Sequence, residues 1–183
     1  VGLIPGGGGT KELALRASDS FRKDDPMMPQ VQDAFVNIAT AKVATSAHEA
    51  FNAGLLLDSK DSVVVNQDRL IATAKRKVIE LYEAGYTKPA ERNDITVMGR
   101  SGLGALYSGV EGFKIGNYAS EHDALISKKV AYVLCGGDLS APTQVSEQYL
   151  LDLEREAFLS LCGEKKTLER IQSILKTGRP LRN

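Results

Sequence analysis

The sequence predicts a mainly α protein with little strand content, and three observations carry that reading. Apolar residues recur at helical spacing through most of the chain. Capping residues stand ahead of several of these runs and glycines close them. Strand character is confined to Leu-Leu-Leu-Asp and Ser-Val-Val-Val, so short strands are expected near 55–57 and 62–65.

Each element follows in order. After Pro5 and the glycines Gly6 to Gly9, residues 10–17 suit a short helix. DDPMMP is a loop, and past the breaker Pro29 the residues Val31, Phe35, Ile38 and Ala39 share a helical face. Ser46 followed by Glu49 is a capping-box signature, giving a short helix SAHEAFNA that Gly54 ends. From Asn66 to Ala84, Leu70, Ile71, Ala74, Val78, Leu81 and Tyr82 form one face, closed by Gly85.

Beyond Pro89 the texture changes, which divides the chain into 1–88 and 89–183. Six glycines between Gly99 and Gly116 point to close backbone packing or a winding loop rather than a regular long helix. Ser120 with Asp123 opens a helix that runs through ALISKKVAYVLC to Gly136 and Gly137. In SEQYLLDLEREAFLSL, residues Tyr149, Leu150, Leu153, Ala157 and Leu161 lie on one side, widened by Leu151 and Phe158. Gly163 ends that helix, and Leu168, Ile171, Ile174 and Leu175 repeat the pattern in a last one ending at Gly178.

Composition excludes several classes. The 43% hydrophobic and 25% charged content is that of a globular chain. Lys plus Arg equals Asp plus Glu at 23 each, so no long-range field draws the protein to nucleic acid or an anionic membrane. No apolar run approaches a membrane span. Cys135 and Cys162 lie in helix-like apolar runs and read as two buried thiols of a cytoplasmic protein rather than a disulfide. The chain begins at valine without initiator methionine or leader, and reads as the middle of a longer polypeptide.

The glycine run is the strongest chemical signal. A phosphate-binding P-loop needs Gly-Lys followed by Ser or Thr, whereas Gly9-Thr10-Lys11 has the reverse order. A dinucleotide fingerprint would need glycine where Lys11 stands. Two readings remain: a turn whose bare amides point at a small polar species ahead of a helix N-terminus, or a structural turn without ligand.

Two ordered motifs give a resemblance. GLIPGGGGTKEL resembles the Gly-x-Ile-Pro-Gly-x-Gly-Gly-Thr segment of the enoyl-CoA hydratase (crotonase) family, and SAHEAFNAGLL resembles that family's later Ser/Ala-x-Glu-Ala-x-x-x-Gly-Leu segment. The stretches SEHDALISKKVAYVLCGGDL, VSEQYLLDLEREAFLSLCGEKKTLERI and LKTGRPLRN look like a branch in which a crotonase region follows an NAD-dependent 3-hydroxyacyl-CoA dehydrogenase in one polypeptide of fatty-acid β-oxidation. The resemblance implies the C-terminal helical portion of an α/β crotonase-type fold, with residues 1–88 ending the core and 89–183 capping and oligomerising it.

The resemblance also implies roles. The Gly6 amide would help hold the water that adds across the double bond of a trans-2-enoyl-CoA, and Lys176 and Arg179 would meet CoA phosphates. NAD would belong to the partner dehydrogenase domain, with no cofactor bound by this chain alone. The family's two acid/base glutamates and its oxyanion-hole donors lie upstream of the glycine turn, so the isolated chain is expected to be inactive. The alternative is a non-catalytic helical docking or oligomerisation module of crotonase ancestry.

No residue in the chain replaces the missing carboxylates convincingly. Glu12 reads as a favourable charge near a helix N-terminus, and Glu49 as half of a capping box. His48 lacks the second histidine of a zinc-binding helix, and no metal site is expected. Glu121, His122 and Asp123 are adjacent on a helix and point in different directions, which suits a helix start better than a proton relay.

Overall fold

A computed structural model describes residues Val1–Asn183. It contains eight α-helices and two strands: α1 (Gly9–Ser20), α2 (Met28–Ala39), α3 (Ala47–Asn52), α4 (Leu70–Glu83), β1 (Ile95–Val97), α5 (Gly99–Ile115), α6 (Glu121–Leu134), β2 (Thr143–Val145), α7 (Glu147–Cys162) and α8 (Lys165–Thr177). The mainly α class is as the sequence predicts. The chain forms two compact units, one made of Val1–Lys42 with Glu91–Asn183 and the other of Val43–Ala90.

In the first unit α6 is the central element, packed against α1, α2, α5 and α7. It starts on a full capping box, in which Ser120 Oγ accepts from the Asp123 amide at 3.1 Å and Asp123 Oδ2 accepts from the Ser120 amide at 3.0 Å. Its far end is dry: Val130, Ala131, Val133, Leu134 and Cys135 are all buried. Burial pushes the Cys135 thiol up to about 12, and neither cysteine is bonded to the other; Cys162 is half-buried.

Residues 99–115 bear out close packing at Gly99 and Gly102 but correct the expectation that no regular long helix forms here. They form a regular 17-residue helix, whose buried face is Leu103, Leu106 and Val110. Glycine weakens a helix by about 1 kcal/mol relative to alanine, and packing of that face outweighs the loss. Gly99 does need to be glycine: its φ is 59°, its amide donates to the Cys135 carbonyl at 2.8 Å, and a Cβ there would overlap the Leu139 carbonyl.

The strands also depart from expectation. Residues 55–57 are bent and irregular chain after α3, with the Leu55 and Leu56 amides both donating to the Ala50 carbonyl, and 62–65 is irregular. Strand character without a neighbouring edge has no ladder to join. The observed strands are β1 and β2, antiparallel with Ile95 opposite Val145 and Val97 opposite Thr143. Ile95 and Val97 are fully buried.

In α7 the expected stripe is buried through Leu150, Leu153, Ala157 and Leu161. The last helix turns differently: α8 buries Thr167 and Arg170, while Leu168 and Leu175 lie exposed. In the second unit α3 begins at Ser46, whose side chain accepts from the Glu49 amide, and α4 has the predicted apolar face with none of its residues buried.

Candidate functional site

The glycine turn and α7 are joined by a buried polar arrangement in the first unit. The α1 N-terminus has unsatisfied amide donors and a partial positive charge. Its cap residue, Gly8, sits at φ 89° and has no side chain to meet them. Glu154 of α7 meets them instead. Its Oε1 accepts from the Gly8 amide at 2.6 Å, and Oε2 accepts from the amides of Thr10 at 2.9 Å and Lys11 at 3.0 Å. The donors of this helix N-terminus are thus met by the chain's own carboxylate.

Gly6 and Gly7 are exposed at the crest of the turn, and neither amide donates to a protein acceptor. A Cβ on Gly6 would overlap the Phe158 ring, and one on Gly9 would lie 2.9 Å from Pro5 Cβ. On the helix side Lys11 Nζ donates to Glu147 at 2.8 Å and Glu12 at 3.4 Å. Burial pulls the Lys11 ammonium down, but Glu147 and Glu12 outweigh it and raise its pKa. Glu12 also accepts from Arg16 Nε at 3.0 Å, and despite the upward pull of burial its pKa is lowered by Arg16 and Lys11. A carboxylate kept ionised between two cations suits helix stabilisation, not proton donation.

The other candidates separate. Glu49, in the second unit, accepts from both the amide and hydroxyl of Thr45 at 2.7 Å, and His48 is exposed. Glu121 faces Lys114, Asp123 holds Arg170 at 2.7 Å, and buried His122 reaches Thr167 Oγ1 at 2.9 Å. Lys176 and Arg179 are both exposed at the end of α8, where the Thr177 hydroxyl accepts from the Arg179 amide. Neither lines the groove of about 560 Å³ in this unit, whose walls include Leu3, Phe35, Val110 and Ile126, with Arg170 and Arg182 as its cations.

Sequence reasoning missed Glu154. The signal was present: it stands four residues after Leu150 and three before Ala157, an acid inside an apolar stripe.

With this geometry in view, comparison with known proteins gives one curated relative. The chain is 45% identical over all 183 residues to a protein named "Probable 3-hydroxyacyl-CoA dehydrogenase" from Bacillus subtilis (strain 168). The chain spans 23% of that relative's length. No family model and no solved structure matches. No helix is long and apolar enough to cross a membrane.

Proposed function

We propose that the chain is the C-terminal helical portion of a crotonase-like region in a fatty-acid β-oxidation protein that acts on acyl-CoA thioesters. The observation that supports it most is the exposed pair Gly6 and Gly7, whose amides have no protein acceptor, on a turn that Glu154 clamps, in a chain similar along its whole length to a protein named as a dehydrogenase of 3-hydroxyacyl-CoA. In this reading a water oxygen adds to C3 of a trans-2-enoyl-CoA and a proton reaches C2, with the Gly6 amide donating to that water. The proton-transfer groups and the enolate-stabilising donors come from the remainder of the polypeptide. The 3-hydroxyacyl product is what an NAD-dependent domain of the same protein would oxidise. Lys176 and Arg179, exposed and close in sequence, would meet CoA phosphates.

The full-length protein tests this. It is expected to hydrate crotonyl-CoA, and Gly6→Val is expected to lower that turnover by about tenfold or more while oxidation of a 3-hydroxyacyl-CoA persists. Absence of hydration by the wild type would refute the reading. One observation favours the docking module as a second reading: α4 carries an apolar face with no buried residue. Loss of assembly, with no loss of hydration, on charging that face would favour it.

A further inference from the structure

Glu154 stands on the buried face of α7, among residues that are otherwise apolar. Its neighbours on the stripe, Leu150, Leu153 and Ala157, are buried, and Glu154 itself is 1% exposed. Burying a carboxylate is costly unless hydrogen bonds replace the lost water. Here they come entirely from main-chain donors, the amides of Gly8, Thr10 and Lys11. A leucine could not gather them, and Gly8, in its left-handed conformation, would lose the partner that fixes it. One turn along α7, Phe158 closes against Gly6 of the same run. Two side chains of one helix thus hold both ends of the glycine turn.

We infer that Glu154 is a positioning residue: its buried carboxylate fixes the helix side of the turn, and so sets the direction in which the amides of Gly6 and Gly7, which have no protein acceptor, point. The catalytic consequence rests on the hydratase reading above. In that reading the amide must meet a water whose place is set by the reacting carbons, and small misplacement is costly in rate. The Glu154 carboxylate is taken up by the amides of Gly8, Thr10 and Lys11. It acts through the backbone.

Three variants of the full-length protein decide the matter. Glu154→Gln keeps the size but turns an amino group toward amide donors; Glu154→Asp keeps both acceptor oxygens; Leu150→Ala removes buried packing on the same helix at a side chain that makes no hydrogen bond to the turn. Hydrogen exchange of the segment containing residues 1–13, and kcat and KM for enoyl-CoA hydration, are measured for each. Glu154→Gln is expected to speed exchange at the turn by about tenfold and to lower kcat by about tenfold, with KM changed by less than about twofold. Glu154→Asp should recover part of both, and Leu150→Ala should change neither selectively. Equal effects of Glu154→Gln and Leu150→Ala on turn exchange and on the kcat-to-KM split would overturn the inference. Faster exchange with unchanged kcat would leave the turn structural and refute the positioning role. A wild type without hydration would defeat the hydratase reading alone, and the exchange comparison would still judge the hold of Glu154 on the turn.

Discussion

His122 shows how one buried side chain ties stability to pH. It is 3% exposed, and Thr167 Oγ1 accepts from its Nε2 because that hydroxyl donates its own proton to the Gly2 carbonyl at 2.8 Å. Burial, then the nearby Arg170, lowers its pKa from the ordinary 6.5, while Glu164 and Asp123 oppose the shift more weakly. The unfolded chain therefore binds a proton that the folded chain refuses. The stabilisation is complete above the unfolded value of 6.5 and is lost as pH falls through it toward the folded value. Thermal unfolding is expected to shift down between about pH 7 and pH 5, and His122→Gln is expected to flatten that slope. Identical slopes in the two proteins would contradict this. At Gly8 the expectation concerns backbone strain: Gly8→Ala should destabilise by about 1–2 kcal/mol, since φ is 89°, whereas Gly9, in the helix with negative φ, offers no such argument.

At the scale of elements, α5 separates glycines that a side chain cannot replace from those it can. Gly104, Gly109 and Gly112 have ordinary helical φ and open space where a Cβ would stand. Alanine at any of them is expected to stabilise by roughly 0.5–1 kcal/mol. Gly99→Ala is expected to destabilise, because both its φ and the Leu139 carbonyl forbid a Cβ. Chemical denaturation of the four variants checks the contrast, and a uniform response would refute it. The same helix shows why part of the fold was legible and part was not. Helix starts at Ser46 and Ser120 are readable because the capping chemistry is local. The helix across 99–115 was obscured because its glycines argue locally against it, and only its packed face decides. The strands at 95–97 and 143–145 are three residues each, too short for an alternating pattern, and their pairing is remote in sequence. The glycine turn was readable as a place that needs bare backbone. Its partner Glu154 is hard to read from sequence, because an acid on a helix is usually solvated, and only its position between Leu150 and Ala157 sets it apart.

At the scale of the whole molecule, apolar surface is unevenly satisfied. On α4, Ile71, Val78 and Tyr82 are exposed, as are Leu168 and Leu175 on α8. Covering a leucine-sized side chain stabilises by roughly 1.5–3 kcal/mol, so such faces favour association. Sedimentation of the chain is expected to show self-association, weakened by Ile71→Glu with Val78→Glu. A compact monomer at all concentrations would contradict this.

The first compact unit is assembled from two lengths of chain with Val43–Ala90 threaded between them in sequence. Glu154 grips Gly8, Thr10 and Lys11 across that interruption, and Arg92 grips Asp19 at 2.8 Å. During synthesis the glycine turn precedes α7 and has nothing to lock onto until α7 follows, so closing it carries the entropy of a very long loop. The turn should be among the last features to set in refolding. Once set, it should outlast a break in the chain. A protease nick within 43–90 is expected to leave the two pieces bound as one species under native conditions, parting only in denaturant. Spontaneous separation of the nicked halves would show that the interlock is weaker than its hydrogen bonds suggest.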